Sequence, residues 1–188
     1  MQVKVEEIQD KGLELNEPIP AAVLDEALAA SNGFVRKGDS KLKARFTKLA
    51  GRVLLTGSFD AAVACPCKRC LKEVAQQVAV KFELNLIAAP KDDRDDDDGE
   101  GEDDGRSVRA GSFRIDEADS EPFDGKKIEL DPIIREQLVL ALPVSVLCKD
   151  DCKGLCTVCG QDLNERDCGH VQKVGHLGLA KLKDIKLN

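Results

Sequence analysis

Between Val53 and Leu86 the apolar residues recur every second position, over a longer stretch than anywhere else in the chain. The odd positions Val53, Leu55, Gly57, Phe59, Ala61 and Val63 share one side, with Arg52, Thr56, Ser58 and Asp60 on the other. After a cysteine-bearing turn the even positions take over: Val74, Val78, Val80, Phe82, Leu84 and Leu86. Glu73, Gln77, Lys81, Glu83 and Asn85 lie opposite. A helix would repeat every 3.6 residues, so a period of two dictates two long, half-buried strands. Joined by a short turn, they must form an antiparallel hairpin. Lys41–Ala50 alternates well enough to supply a third strand beside them.

The flanking segments complete a mixed architecture. Val3, Val5, Leu13 and Leu15 predict opening strands. Pro20–Leu28 reads as a short helix with proline in its first turn, closed by Asn32-Gly33. Ser112–Ile115 and Lys127–Leu130 each predict a short strand. Asp131 then caps a helix with Pro132 at its first position, and Ile134, Leu138 and Leu142 share one face until Pro143 stops it. The fold class expected is α+β: an antiparallel sheet with a long central hairpin, one or two packed helices and a small C-terminal zinc-knuckle tail. Residues 1–90 form the β-rich part of the core, 91–111 an acidic disordered loop, 112–147 the strand and helix that complete the core, and 148–188 the tail. The chain has 188 residues. That length is enough to bury roughly 70% of the unfolded surface in one core.

Charge is concentrated rather than spread. Residues 91–104 (KDDRDDDDGEGEDD) carry a net −8 against −7 for the whole chain, which leaves +1 for the remainder. Such a run buries no apolar area and reads as a solvated loop. No apolar stretch approaches the ~20 residues of a membrane span. The first fifteen residues lack the pattern of a secretory leader, so a cytoplasmic protein is expected.

The eight cysteines fall into two tight groups, Cys65/Cys67/Cys70 and Cys148/Cys152/Cys156/Cys159/Cys168. Disulfide frameworks scatter their cysteines, whereas metal sites cluster them. Cys156-x2-Cys159-Gly160 has the form of a zinc knuckle, in which a two-residue gap lets both sulfurs face one ion. Cys168-x-His170 offers a second pair, making Cys156, Cys159, Cys168 and His170 the preferred ligands. Cys148 and Cys152 compete for the same role, since six candidates exceed the four positions of one tetrahedral zinc. Thiolates dominate and histidines are few, so the zinc expected is structural, in a closed site, and no enzyme is expected. His176 stands alone and carries no role. Cys67 and Cys70 sit at the hairpin turn near Cys65, as structural thiols, a metal half-site shared with the tail, or a reversible disulfide. A catalytic redox pair would need an activated thiolate, usually at a helix N-terminus, and two long strands offer none.

Three motifs carry a resemblance. Cys67-x-Arg69-Cys70-Leu71 leads into an alternating strand. An acidic insert precedes Ile128-Glu-Leu-Asp131, the helix and Leu140-Ala-Leu-Pro143. Leu147-Cys-x3-Cys-Lys-Gly-Leu-Cys-x2-Cys-Gly-x-Asp-Leu-Asn164 follows. In this order, over about two-thirds of the chain, they resemble the YceD family of large ribosomal RNA subunit accumulation proteins. Family tails often close this motif with Cys-x-Cys, where this chain has Cys168-x-His170. The resemblance implies a cytoplasmic (in plants, chloroplast) ribosome biogenesis factor that supports accumulation of the large-subunit (23S) ribosomal RNA. Its expected role is that of a non-catalytic adaptor, with an assembly protein or the precursor RNA as partner. Neither a membrane nor a small-molecule substrate is expected. A zinc-ribbon nucleic-acid binder is the alternative. Against direct base recognition, the chain has neither Trp nor Tyr. The basic segments Arg36–Lys48, Lys68-Arg69, Lys126-Lys127 and 171–188 remain as surfaces for phosphate or acidic protein. Leu177, Leu179, Leu182 and Ile185 predict a final helix.

Overall fold

The computed structural model describes residues 1–89, except 10, 32 and 50, and residues 120–170. The acidic run, the strand expected at Ser112–Ile115, His176 and the final helix lie outside the described residues. The chain divides into two compact units, one of residues 1–64 with 75–142, the other of residues 65–74 with 143 onward.

The elements, in chain order, are β1 (Gln2–Lys4), β2 (Leu13–Pro18), α1 (Ala21–Ala29), β3 (Val35–Arg36), β4 (Lys41–Leu49), β5 (Arg52–Pro66), β6 (Glu73–Ala88), β7 (Ser120–Phe123), β8 (Lys127–Glu129) and α2 (Leu130–Ala141). The main sheet runs β2-β4-β5-β6-β7, and β3 pairs with β5 at Val35–Ala64. β1 and β8 form a separate antiparallel pair. The alternation that predicted the hairpin is realised as burial, with Val53, Leu55, Phe59, Ala61 and Val63 inside on β5 and Val78, Val80, Phe82 and Leu86 inside on β6. On β4, Leu42, Ala44 and Phe46 join them.

Two elements differ from expectation. β7 runs parallel to β6, Asn85 opposite Ser120 and Ala88 opposite Phe123. Its sequence, Ser-Glu-Pro-Phe, shows no period of two, and Pro122 is tolerated because β7 is an edge strand. Asp131 does not cap α2. Glu129 holds the cap position with extended backbone and no side-chain cap bond. Asp131 lies in the first turn, where the helix dipole favours a carboxylate, and accepts a hydrogen bond from the Met1 amine at 2.6 Å. The far end behaves as read. Leu142, at ψ 135°, leaves the helix because a residue before proline avoids the α region.

Leu130, Ile133, Ile134 and Leu138 form the buried stripe of α2, and Val23, Leu24, Ala27 and Leu28 that of α1. The two helices pack together, and Arg135 pairs with Glu26 between them. Each large side chain so buried stabilises the unit by about 1.5–3 kcal/mol.

Candidate metal centres

The second unit is built on two turns with the same backbone. In the first, Leu71 N–H donates to the Cys67 carbonyl at 3.0 Å and Cys67 N–H to the Lys72 carbonyl at 2.8 Å. In the second, Gly160 N–H donates to the Cys156 carbonyl at 2.9 Å and Cys156 N–H to the Gln161 carbonyl at 2.8 Å. Inside each turn the residue two beyond the first cysteine donates its N–H to that sulfur, Arg69 to Cys67 at 3.4 Å and Val158 to Cys156 at 3.5 Å. The residue after the second cysteine has a left-handed backbone in both, Gly160 at φ 73° and Leu71 at φ 60°. The hairpin turn therefore has the same backbone as the tail turn that the sequence marks as a candidate knuckle. A leucine in place of the glycine hides that from a sequence reading, because only glycine takes this φ without penalty.

Each knuckle meets a second pair. The sulfurs of Cys67, Cys70, Cys148 and Cys152 all lie within 4.8 Å of one another, and so do the ligand atoms of Cys156, Cys159, Cys168 and His170. The structure thus brings the preferred tail residues together. It sets Cys148 and Cys152, the competing pair, beside the hairpin cysteines instead. Either set offers four donors of the type and number a tetrahedral thiophilic ion takes. Cys65 is buried and belongs to neither.

The environments differ. Cys67, Cys70 and Cys152 are buried, with Val74, Leu147 and Leu155 packed against them. In the tail set Cys156 is buried, but Cys159 and His170 are exposed. Within it the His170 ring nitrogen Nδ1 lies 3.3 Å from Cys168 Sγ. Thiols in each set are shifted toward the thiolate, Cys67 and Cys152 in the first and Cys156 in the second. Backbone N–H groups of Cys70, Arg69 and Cys148 bring Cys67 down to about 6. Those of Cys159 and Val158 do the same for Cys156, also to about 6. Cys148, hydrogen-bonded to Cys70 with Sγ 3.5 Å away, is pushed up to about 12. Four close thiols cannot all ionise on their own; a divalent cation makes that possible.

Residues outside the cysteine pattern hold this arrangement. Asn164 Nδ2 donates to Cys152 Sγ at 3.4 Å and to Asp162 Oδ1 at 2.7 Å. Its Oδ1 accepts from the Lys153 N–H at 2.9 Å. Lys72 pairs with Asp162 and Glu165, both at 2.9 Å. These partners hold the lysine's pKa high and the Asp162 carboxyl low, the latter chiefly through the Asn164 N–H. Arg69 reaches the Cys152 carbonyl at 2.8 Å. The Asp-Leu-Asn run after the second knuckle thus serves the first set, a role that spacing alone does not reveal.

Leu71 allows a direct check. A non-glycine residue in this conformation costs roughly 1–2 kcal/mol. At 64% exposure its side chain gains little by packing. Leu71→Gly should leave the metal-loaded chain equally stable or up to about 1 kcal/mol more so, the entropy of glycine offsetting part of the relief. A clear loss in denaturant unfolding would mean that the leucine side chain has a packing role.

Comparison with known proteins gives a consistent result. The family model described as Large ribosomal RNA subunit accumulation protein YceD matches residues 55–186, a span that contains both cysteine sets. The chloroplastic large ribosomal RNA subunit accumulation protein YCED homolog 1 of Zea mays is 28% identical over 74% of this chain and 50% of its own length. The homolog of the same name from Arabidopsis thaliana is 28% identical over 65% of this chain and 41% of its own. An uncharacterized protein of Mycobacterium bovis is 31% identical over 77% and 59%. The chain thus spans about half the length of these curated relatives. No solved structure matches it significantly. With well over half of its residues matched, the chain belongs to the YceD family of large ribosomal RNA subunit accumulation proteins.

Proposed function

We propose that this protein supports accumulation of large-subunit ribosomal RNA as a non-catalytic adaptor. In this role it docks on an assembly protein or on precursor RNA in the compartment where ribosomes are made, the cytoplasm in a bacterium. The observation that carries the ribosomal role is the family match across residues 55–186. The adaptor reading draws on the site. Each cysteine set supplies four protein donors, which leaves no open position for a reacting water or substrate. Zinc, held by Cys156, Cys159, Cys168 and His170, would shape the docking surface.

The surfaces favour protein contact over base recognition. Phe34, Phe46, Phe59 and Phe82 are buried, so they offer bases no stacking platform. Within the basic segment, Arg36 is paired with Asp25 and Arg45 with Glu14. Among the described residues, no helix is long and apolar enough to cross a membrane.

Deleting the gene should lower the large-subunit RNA relative to the small-subunit RNA. Tagged protein should co-sediment with large-subunit precursors rather than with mature ribosomes. An unchanged RNA ratio would remove the reading. Strong binding to arbitrary RNA with a steep salt dependence would favour the nucleic-acid binder instead.

A further inference from the structure

We propose that Cys67, Cys70, Cys148 and Cys152 form a second metal centre, filled by its own thiophilic divalent cation. This centre locks the hairpin turn to the chain entering the tail, while the Cys156–His170 set is the exchangeable one. The inference rests on the metal reading of the tail but not on the ribosomal role.

Three observations carry it. The first is the matching backbone of the two turns. Both use an N–H to the carbonyl four residues back, a first-cysteine N–H to the carbonyl five residues on, and a left-handed residue after the second cysteine. If one is a metal knuckle, the other has the same means of aiming two sulfurs at a point.

The second is the sulfur spacing. Cys70 and Cys148 are 3.5 Å apart and Cys67 and Cys152 3.9 Å. A tetrahedral ion with metal–sulfur bonds of about 2.3 Å needs sulfurs about 3.8 Å apart. Two disulfides would need only two close pairs, each about 2.05 Å. Here all four sulfurs are mutually close.

The third is the shell around the sulfurs. Cys67 accepts from the N–H groups of Arg69 and Cys148, both at 3.4 Å, and Cys152 from the Asn164 amide. Metal-bound thiolates are oriented by donors of this kind. The segments that meet here are also tied directly, Lys68 N–H to the Val146 carbonyl at 3.0 Å and Leu155 N–H to the Arg69 carbonyl at 3.1 Å. A metal at this point therefore joins two segments about 80 residues apart in sequence. The tail set joins residues within one short stretch.

Exposure sets the order of exchange. Three of the four hairpin-set cysteines are buried, whereas the tail set presents Cys159 and His170 to solvent. A chelator reaches the second far more readily.

The test is native mass spectrometry of the full chain, reduced and supplied with Zn2+, followed by competition with a chromogenic chelator. Two ions per chain are expected, one released at least about tenfold faster than the other, since each tenfold corresponds to only 1.4 kcal/mol. Cys159→Ser should abolish the fast ion and keep the slow one. Cys70→Ser should do the reverse. Should Cys70→Ser fail to fold, Co2+ in the wild-type chain gives the answer, with thiolate-to-cobalt absorption rising over two equivalents. A single ion that persists in Cys70→Ser, no bound ion at all, or reduced material whose mass shows disulfides would overturn the proposal. A single ion that persists in Cys159→Ser and is lost in Cys70→Ser would instead count against the tail site.

Discussion

Withdrawing metal from the reduced chain should unfold residues 65–74 and 143–170 and leave the sheet intact. Hydrogen exchange read along the sequence would show full loss of protection in the second unit, with β4, the shared length of β5 and β6, α1 and α2 still protected. The asymmetry follows from what each unit buries. Phe46, Leu55, Leu86, Leu24, Ile134 and Leu138 give the first unit an apolar centre of its own. Among the described residues, Val74, Leu147 and Leu155 pack against the hairpin cysteines, each partly buried. The described part of the second unit has no named helix and little strand of its own. A structural zinc contributes on the order of 10 kcal/mol at neutral pH, more than those three side chains, each of which, partly buried, falls short of the roughly 1.5–3 kcal/mol of full burial. Cys156→Ser should reproduce part of the effect, loosening residues 156–170. If the whole chain melts together, the sheet depends on metal after all. If exchange in 143–170 is unchanged, the cysteine sets are not what orders it.

Much of the sheet was legible because period-two burial is a one-dimensional signal: Leu55 and Phe59 can be assigned to the inside without knowing what covers them. The same holds for the stop at Pro143 and for the tail knuckle, whose glycine announces its turn. Legibility ended where the partner is distant in sequence. Nothing local says that Cys70 meets Cys148, nor that the Asn164 amide serves Cys152. The hairpin half-site stayed one of three readings for a sharper reason, since Leu71 adopts a backbone that leucine rarely takes. β7 was missed because it is only four residues long and none of them is fully buried, so no alternation marks it. The Asp131 cap was misplaced because a carboxylate favours both the cap and the first turn, so sequence could not separate them.

Gly57→Ala should destabilise the first unit by about 3 kcal/mol, a large effect for a single methyl. Gly57 lies on the buried face of β5 opposite Ala44 of β4. The Phe82 ring of β6 lies directly over it. A Cβ built at Gly57 would fall 2.2 Å from Phe82 Cζ and 2.6 Å from both Cε atoms. The ring is buried, so relief requires the ring to leave its rotamer or one strand to shift against the next. Phe82→Ala alone should cost about 3–5 kcal/mol through the lost ring and the cavity left behind. The two costs should not add. In the double variant the clash is gone and the new methyl fills part of the cavity, so its stability should match or exceed that of Phe82→Ala, a coupling of about 3 kcal/mol. Denaturant unfolding of the wild type, both single variants and the double completes the cycle. Strictly additive costs would show that ring and glycine do not share this space, and that the glycine serves strand curvature instead.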